Sequence, residues 1–285
     1  MKRILLFMVT NLAIMLTLSL VLSLLGITGG GGLDGLLVFC LFWGMGGAFL
    51  SLQISRFMAK RAMGVELVDG RTGHADLDWL HATVRQLVDR SGLPMPEVGY
   101  YESPEVNAFA TGPSRSRSLV AVSTGLLRTM SRDEVEGVLA HEVAHIQNGD
   151  MVTMTLIQGV VNAFVMFFAR IIANILRNTV DERASGAVYF LSYMVLQVVL
   201  GVLGMAVVAW FSRAREFRAD AGAATLAGSG KMIAALQRLQ QHTQQIESDQ
   251  PALATMKIAG AGSWMALLST HPPLEARIAA LRAAR

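Results

Sequence analysis

His141-Glu142-Val143-Ala144-His145 places two imidazoles four residues apart with a carboxylate beside the first. On a helix, residues i and i+4 share a face, so both rings can reach one ion. Zinc accepts imidazole nitrogen at about 2.0–2.1 Å in a tetrahedral shell. Glu142 is turned about 100° around the helix axis from His141. In such sites that carboxylate stands beside the open fourth position, placed to take a proton from water activated there. The five-residue pattern also arises by chance on helices that bind nothing, so further ligands must be sought.

A candidate third ligand is Glu216, in Ser212-Arg-Ala-Arg-Glu216-Phe-Arg-Ala-Asp220. Glu216 and Asp220 are again i and i+4. One can bind a metal while the other, Asp220, hydrogen-bonds a ligand imidazole and fixes its tautomer. The competing reading is a solvated charge cluster pairing with Arg213, Arg215 and Arg218. The histidine motif upstream tips the balance toward a metal site.

These residues need elements to hold them, and composition says where those elements lie. The chain has 285 residues, 53% hydrophobic and 16% charged, against about a quarter charged in soluble domains. Its mean hydropathy of +0.46 places part of it in a lipid bilayer. Net charge is +3 with no long basic run and no arginine–aromatic interleaving, which argues against nucleic acid as a partner. Cys40 is the single cysteine, so no intrachain disulfide forms.

Four charge-free stretches are long enough to cross a bilayer: Ile4–Ile27, Leu36–Ile54, Met151–Ala169 and Ala187–Ser212. Met1-Lys2-Arg3 ahead of the first reads as a retained signal anchor rather than a cleaved signal peptide, because no small-residue cleavage site follows. Lys2, Arg3, Arg56, Lys60 and Arg61 flank the first pair, so both its outer ends belong in the cytoplasm. Arg213, Arg215 and Arg218 agree, whereas Arg170, Arg177 and Arg183 between the last two stretches do not. That leaves open whether these two cross fully or form a buried or interfacial hairpin.

Chemistry bears on the choice. His145 lies six residues before Met151, and Glu216 lies four after Ser212. Only an even number of crossings between them brings the ligands to the same membrane face, close to the headgroups.

The expected organisation is a membrane hairpin in 1–55, a cytosolic catalytic part in 56–150, a second hairpin in 151–212 and a cytosolic helical part in 213–285. In the second of these, Leu77, Leu80, Val84, Leu87 and Val88 predict a helix stopped by Gly92 and Pro94. Glu97–Tyr101 and Ser118–Val122 predict short strands. Ser131 with Glu134 predicts a capping box that opens the helix of His141, and Gly149 predicts its end. After Ser212 the Ala-, Gln- and Leu-rich composition predicts short helices, the last following Pro272-Pro273. The fold class is thus mainly α and integral to the membrane, with two transmembrane hairpins and a zincin-like catalytic unit carrying a small β-sheet.

His141-Glu-Val-Ala-His145, Glu216-Phe-Arg-Ala-Asp220, Asn107-Ala-Phe-Ala-Thr-Gly112 and Thr270-His-Pro-Pro273 together resemble the HtpX protease family. These are bacterial membrane metallopeptidases related to the type I CAAX prenyl protease, and the similarity covers essentially the whole chain. The resemblance implies one zinc ion bound by His141, His145 and Glu216, with Glu142 as the catalytic carboxylate. It implies a multi-pass protein of the bacterial inner membrane whose site faces the cytoplasm. Its substrates would be misfolded or damaged membrane polypeptides cleared under heat or envelope stress.

Two elements remain open on residue grounds. The segment starting at Asn107 and Ala108 is either an exposed edge strand that pairs with substrate backbone or an ordinary turn leading to Pro113. His271 either donates to the oxyanion on the scissile carbonyl, approaches the metal, or simply starts a helix before Pro272. Rival functions are a prenyl-protein processing peptidase, for which the chain looks too short to enclose a chamber, and a zinc-stabilised membrane scaffold, which would not need Glu142.

Overall fold

The computed structural model describes residues 32–249 and 268–284. The expected first span, Ile4–Ile27, lies outside the described residues. In chain order the elements begin with α1 (Gly32–Met63), β1 (Glu66–Leu67), α2 (Ala75–Ser91), β2 (Glu97–Tyr101), β3 (Ala108–Ser114) and β4 (Arg117–Ser123). They continue with α3 (Thr124–Thr129), α4 (Arg132–Asn148), α5 (Asp150–Arg177), α6 (Glu182–Ala227), α7 (Ser229–Asp249) and α8 (Leu274–Ala283). The described residues form two compact units, one of 32–51 with 154–208, the other of 52–153 with 209–249 and 268–284.

The first unit is built from the apolar parts of α1, α5 and α6, each long and apolar enough to cross a membrane. The other three expected spans fall inside these helices. A Cβ on Gly44 would lie 2.7 Å from the Ala163 backbone nitrogen, and one on Gly159 would lie 3.0 Å from Met45 Cα. Small residues thus let two backbones touch where lipid offers no hydrophobic drive of its own. Ala169 and Ala173 pack against Tyr193 and Tyr189, and Gly204 against Val161, so α5 and α6 run antiparallel as a hairpin. Polar groups pair locally, Gln158 with Asn162 and Gln197 with Tyr193. The Arg170 guanidinium sits 4.7 Å from the centre of the Phe39 ring.

The second unit centres on a mixed sheet of order β1-β2-β4-β3, with β2 and β4 parallel and the other pairs antiparallel. Leu119–Ser123 of β4 are fully buried in the middle. Helix α2 runs over the expected residues and ends at Gly92, whose left-handed φ of 65° closes it. The segment after Asn107 is a strand, β3, at the sheet edge. It tolerates Pro113 because a register irregularity falls between Thr111 and Ser114. At Gly112, φ is 139° and a Cβ would strike the Arg117 carbonyl, so the bulge requires glycine.

Helix α4 has the expected capping box: Ser131 accepts from the Glu134 N–H and Glu134 accepts from the Ser131 N–H. Gly149 ends it with φ 69°. One expectation is corrected. The chain after Ser212 is not a series of short helices, because α6 continues unbroken through Glu216 and Asp220 to Ala227, and α7 is 21 residues long. The arginines there end the apolar run without breaking the helix, since Arg and Ala are good helix formers.

Candidate metal centre

Close helix crossings make the site. A Cβ on Gly222 would lie 2.8 Å from Ala144 Cβ, and one on Gly137 would lie 2.7 Å from the Lys231 carbonyl oxygen. Small residues therefore let the histidine helix α4 pack closely on the glutamate helix α6 at Gly222–Ala144 and on the backbone of α7 at Gly137–Lys231.

One side chain from each turn then converges. His141 Nε2 and His145 Nε2 are 3.1 Å apart, His145 Nε2 is 3.3 Å from Glu216 Oε1, and His141 Nε2 is 3.5 Å from Glu216 Oε2. All three side chains are buried, Glu216 to 1% exposure. A tetrahedral zinc shell with bonds of about 2.0–2.1 Å sets neighbouring ligands about 3.3 Å apart, so these spacings fit such an ion. Two further observations support the fit. Glu216 Oε1 is buried without a hydrogen-bond donor. And both imidazoles engage carboxylates through Nδ1, which directs two Nε2 lone pairs at each other unless a cation lies between.

His141 Nδ1 is 2.9 Å from Asp220 Oδ1. Arg277 grips the same carboxylate with two hydrogen bonds, Nε to Oδ2 at 2.7 Å and Nη2 to Oδ1 at 2.6 Å. The 3.4 Å approach of Arg277 Nη2 to His141 Nδ1 is the weaker contact, a consequence of both groups sharing Asp220. His145 Nδ1 is 2.6 Å from Asp150 Oδ2. Burial disfavours charge on each of these groups, and their partners reverse its effect. The acceptor carboxylates of Asp220 and Glu216 raise His141, and those of Asp150 and Glu216 push His145 up to about 9. Glu216 is held well below the usual carboxylate range by the imidazoles, and Asp220 is lowered by Arg277 and His141. The cluster thus holds ionised carboxylates facing nitrogen donors, which is the electrostatics of a cation site.

Glu142 follows His141 on α4 and is half-buried beside the cluster. His271 stands at the turn before α8, 64% exposed, with Nδ1 2.9 Å from Glu216 Oε2. Arg213 fixes that turn by donating to the Ser269 carbonyl at 2.8 Å. Asn107 precedes β3. Its side chain donates to the Tyr101 hydroxyl at 2.7 Å, and its backbone pairs with Ser123. Ala108 opens the edge strand opposite Val122.

Sequence reasoning missed Asp150 and Arg277. Asp150 carried a local signal, being the acid directly after the glycine stop. Arg277 carried none, since it joins Asp220 only through the fold.

Buried ligand geometry, an HExxH helix and apolar spanning helices define a membrane metalloprotease. The chain belongs to peptidase family M48, which residues 74–285 match. Among its relatives are proteins named Protease HtpX. The one from Aeromonas hydrophila is 54% identical over 99% of this chain and all of its own length. That from Idiomarina loihiensis is also 54% identical, over the full length of both. The crystal structure of S. mikatae Ste24p shares the fold with a TM-score of 0.61 at 19% identity. The match covers 93% of this chain, and the chain spans only 62% of that structure's length.

Proposed function

We propose that this protein is a zinc endopeptidase of the bacterial inner membrane that cleaves internal peptide bonds of misfolded membrane polypeptides at the cytoplasmic face. The observation that carries the reading is the convergence of two imidazole Nε2 atoms and a donorless buried carboxylate oxygen at the edge lengths of a tetrahedral shell. His141, His145 and Glu216 hold one zinc ion per chain. When bound, zinc supplies Lewis acidity to the scissile carbonyl and to water.

The rest falls to the chain's own side chains. Glu142 takes a proton from the attacking water as the new C–O bond forms. It returns that proton to the amine nitrogen as the C–N bond breaks, which regenerates the carboxylate. Asp220 keeps the His141 proton on Nδ1 and its Nε2 lone pair free. His271, whose Nδ1 faces Glu216, would donate from Nε2 to the carbonyl oxygen on which charge develops when both its ring nitrogens carry protons. The outer edge of β3 from Ala108 offers backbone groups to an extended substrate, and Asn107 fixes the start of that edge.

His145 lies six residues before the charge-free stretch of α5 and Glu216 four residues after that of α6, which favours membrane-proximal bonds as substrates. Arg213, Arg215 and Arg218 after the α6 stretch, with Lys60 and Arg61 at the end of α1, favour the cytoplasmic side, against Arg170, Arg177 and Arg183 in the connection between α5 and α6. The test uses detergent-purified full chain acting on an unfolded polypeptide and on a membrane-inserted one in vesicles. Chelation should abolish cleavage and zinc should restore it; cleavage indifferent to chelator would discard the reading. For orientation, Asn178→Cys in a Cys40→Ala background should be labelled by an impermeant thiol reagent from outside the cell. Labelling from the cytoplasmic side alone would contradict the crossing.

A further inference from the structure

We infer that Asp150 is a positioning residue for the imidazole of His145, contributed by the first residue of a membrane-spanning helix. The inference rests on the reading of His141, His145 and Glu216 as a metal centre. Asp150 opens α5, directly after the left-handed Gly149 that ends α4. That sharp turn folds the chain back so that the carboxylate lies beneath the ring five residues earlier, with Oδ2 at 2.6 Å from His145 Nδ1.

An acid in the first turn of a helix ordinarily has a simpler explanation, since it complements the helix dipole while staying in water. Asp150 is only 2% exposed. The dipole is served as well by an exposed carboxylate, so it does not account for burial, which is costly for an ion. The short contact to His145 accounts for it. An ionised carboxylate can only accept, so it holds the imidazole proton on Nδ1 and leaves the Nε2 lone pair toward Glu216 and His141. The second oxygen, Oδ1, faces Arg218 Nη2 at 3.6 Å.

Each metal-facing imidazole is therefore backed by a carboxylate and then an arginine, but the two relays differ in strength. On His141 the arginine is Arg277, 6% exposed and doubly hydrogen-bonded. On His145 it is Arg218, whose side chain is 64% exposed and which makes a longer contact. Asp150 itself thus carries the positioning of His145, with Arg218 adding little. The relay also ties a ligand imidazole to the first residue of α5, a helix long and apolar enough to cross a membrane.

The experiment measures the zinc dissociation constant of the full chain in detergent at neutral pH, by competition with a chromophoric chelator. Asp150→Ala should weaken zinc by about 10–100-fold, as loss of an orienting partner does. Asp150→Asn, which keeps one acceptor oxygen, should weaken zinc by about 5–10-fold, and Arg218→Ala should stay within about threefold of wild type. Zinc-loaded protein labelled with ¹⁵N-histidine should show a strongly deshielded Nδ1 proton for His145. That resonance should vanish in Asp150→Ala and persist in Arg218→Ala. If Asp150 only anchors the helix start, its variants lower the melting temperature but bind zinc as wild type does, and the inference is overturned. Should Asp150→Ala not fold, the isosteric Asp150→Asn carries the test: wild-type affinity with an unchanged resonance overturns it. Wild-type protein that takes up no zinc would instead overturn the metal reading beneath it, before any variant is compared.

Discussion

The two units of this chain handle polar groups in opposite ways. In the membrane unit the described polar side chains lean on near neighbours: Gln158 donates through Nε2 to Asn162 one turn away while its buried Oε1 has no partner, and Arg170 lies against aromatic faces. Its helices meet through glycine and alanine. The catalytic unit gathers six ionisable groups, His141, His145, Asp150, Glu216, Asp220 and Arg277, into one buried cluster. Burying that many charges is unfavourable even when they are paired, and replacing such networks with apolar residues often stabilises a protein. The contrast teaches where function lies: small residues account for the first unit by packing alone, whereas the second retains a cluster that packing would eliminate.

Substitutions at five positions probe this contrast, taken from the largest expected effect. Glu216→Gln removes a ligand charge, so zinc affinity should fall beyond the about 10–100-fold that loss of an orienting partner brings, and cleavage should cease. Chelator competition and peptide turnover measure both. Arg277→Ala leaves Asp220 buried without its cation and should destabilise the catalytic unit by about 3–5 kcal/mol. Chemical unfolding reads that loss, and Arg277→Lys should recover only part of it because lysine lacks the two-pronged grip.

A matched pair sharpens the comparison next. Gly44→Val and Gly222→Val each force a side chain into a close helix contact and should each lose about 1–3 kcal/mol. Only Gly222→Val, beside Ala144, should also weaken zinc binding. Equal loss of zinc in both would show that the site depends on packing in the membrane unit as much as in its own. The smallest effect belongs to Arg132→Ala, which breaks an exposed pair with Asp76 and a stacking contact on Trp79. Its change in unfolding free energy should stay below about 1 kcal/mol.

Local signals were legible in the sequence and tertiary ones were not. The Ser131–Glu134 capping box, the Gly92 and Gly149 stops and the strand Glu97–Tyr101 rest on neighbouring residues, and the structure has each of them. The stretch after Ser212 misled because its Ala-, Gln- and Leu-rich composition suggested short helices, while α6 simply continues. Gly112-Pro113 looked like punctuation, yet an edge strand absorbs both at a bulge. The two histidines and the distal glutamate could be brought together from helical spacing and an even number of crossings. The partners behind them could not: Arg277 reaches Asp220 across 57 residues of chain, and no periodicity announces such a contact.

The central claim is that this buried cluster is a catalytic metal centre rather than a structural one, and Glu142 separates the two. The measurement is cleavage of an unfolded polypeptide by wild type and Glu142→Gln, with bound zinc determined in both. The account predicts about one zinc in each and a loss of turnover of about 10²–10⁴-fold or more in the variant. Equal zinc and equal turnover in the two proteins would contradict it.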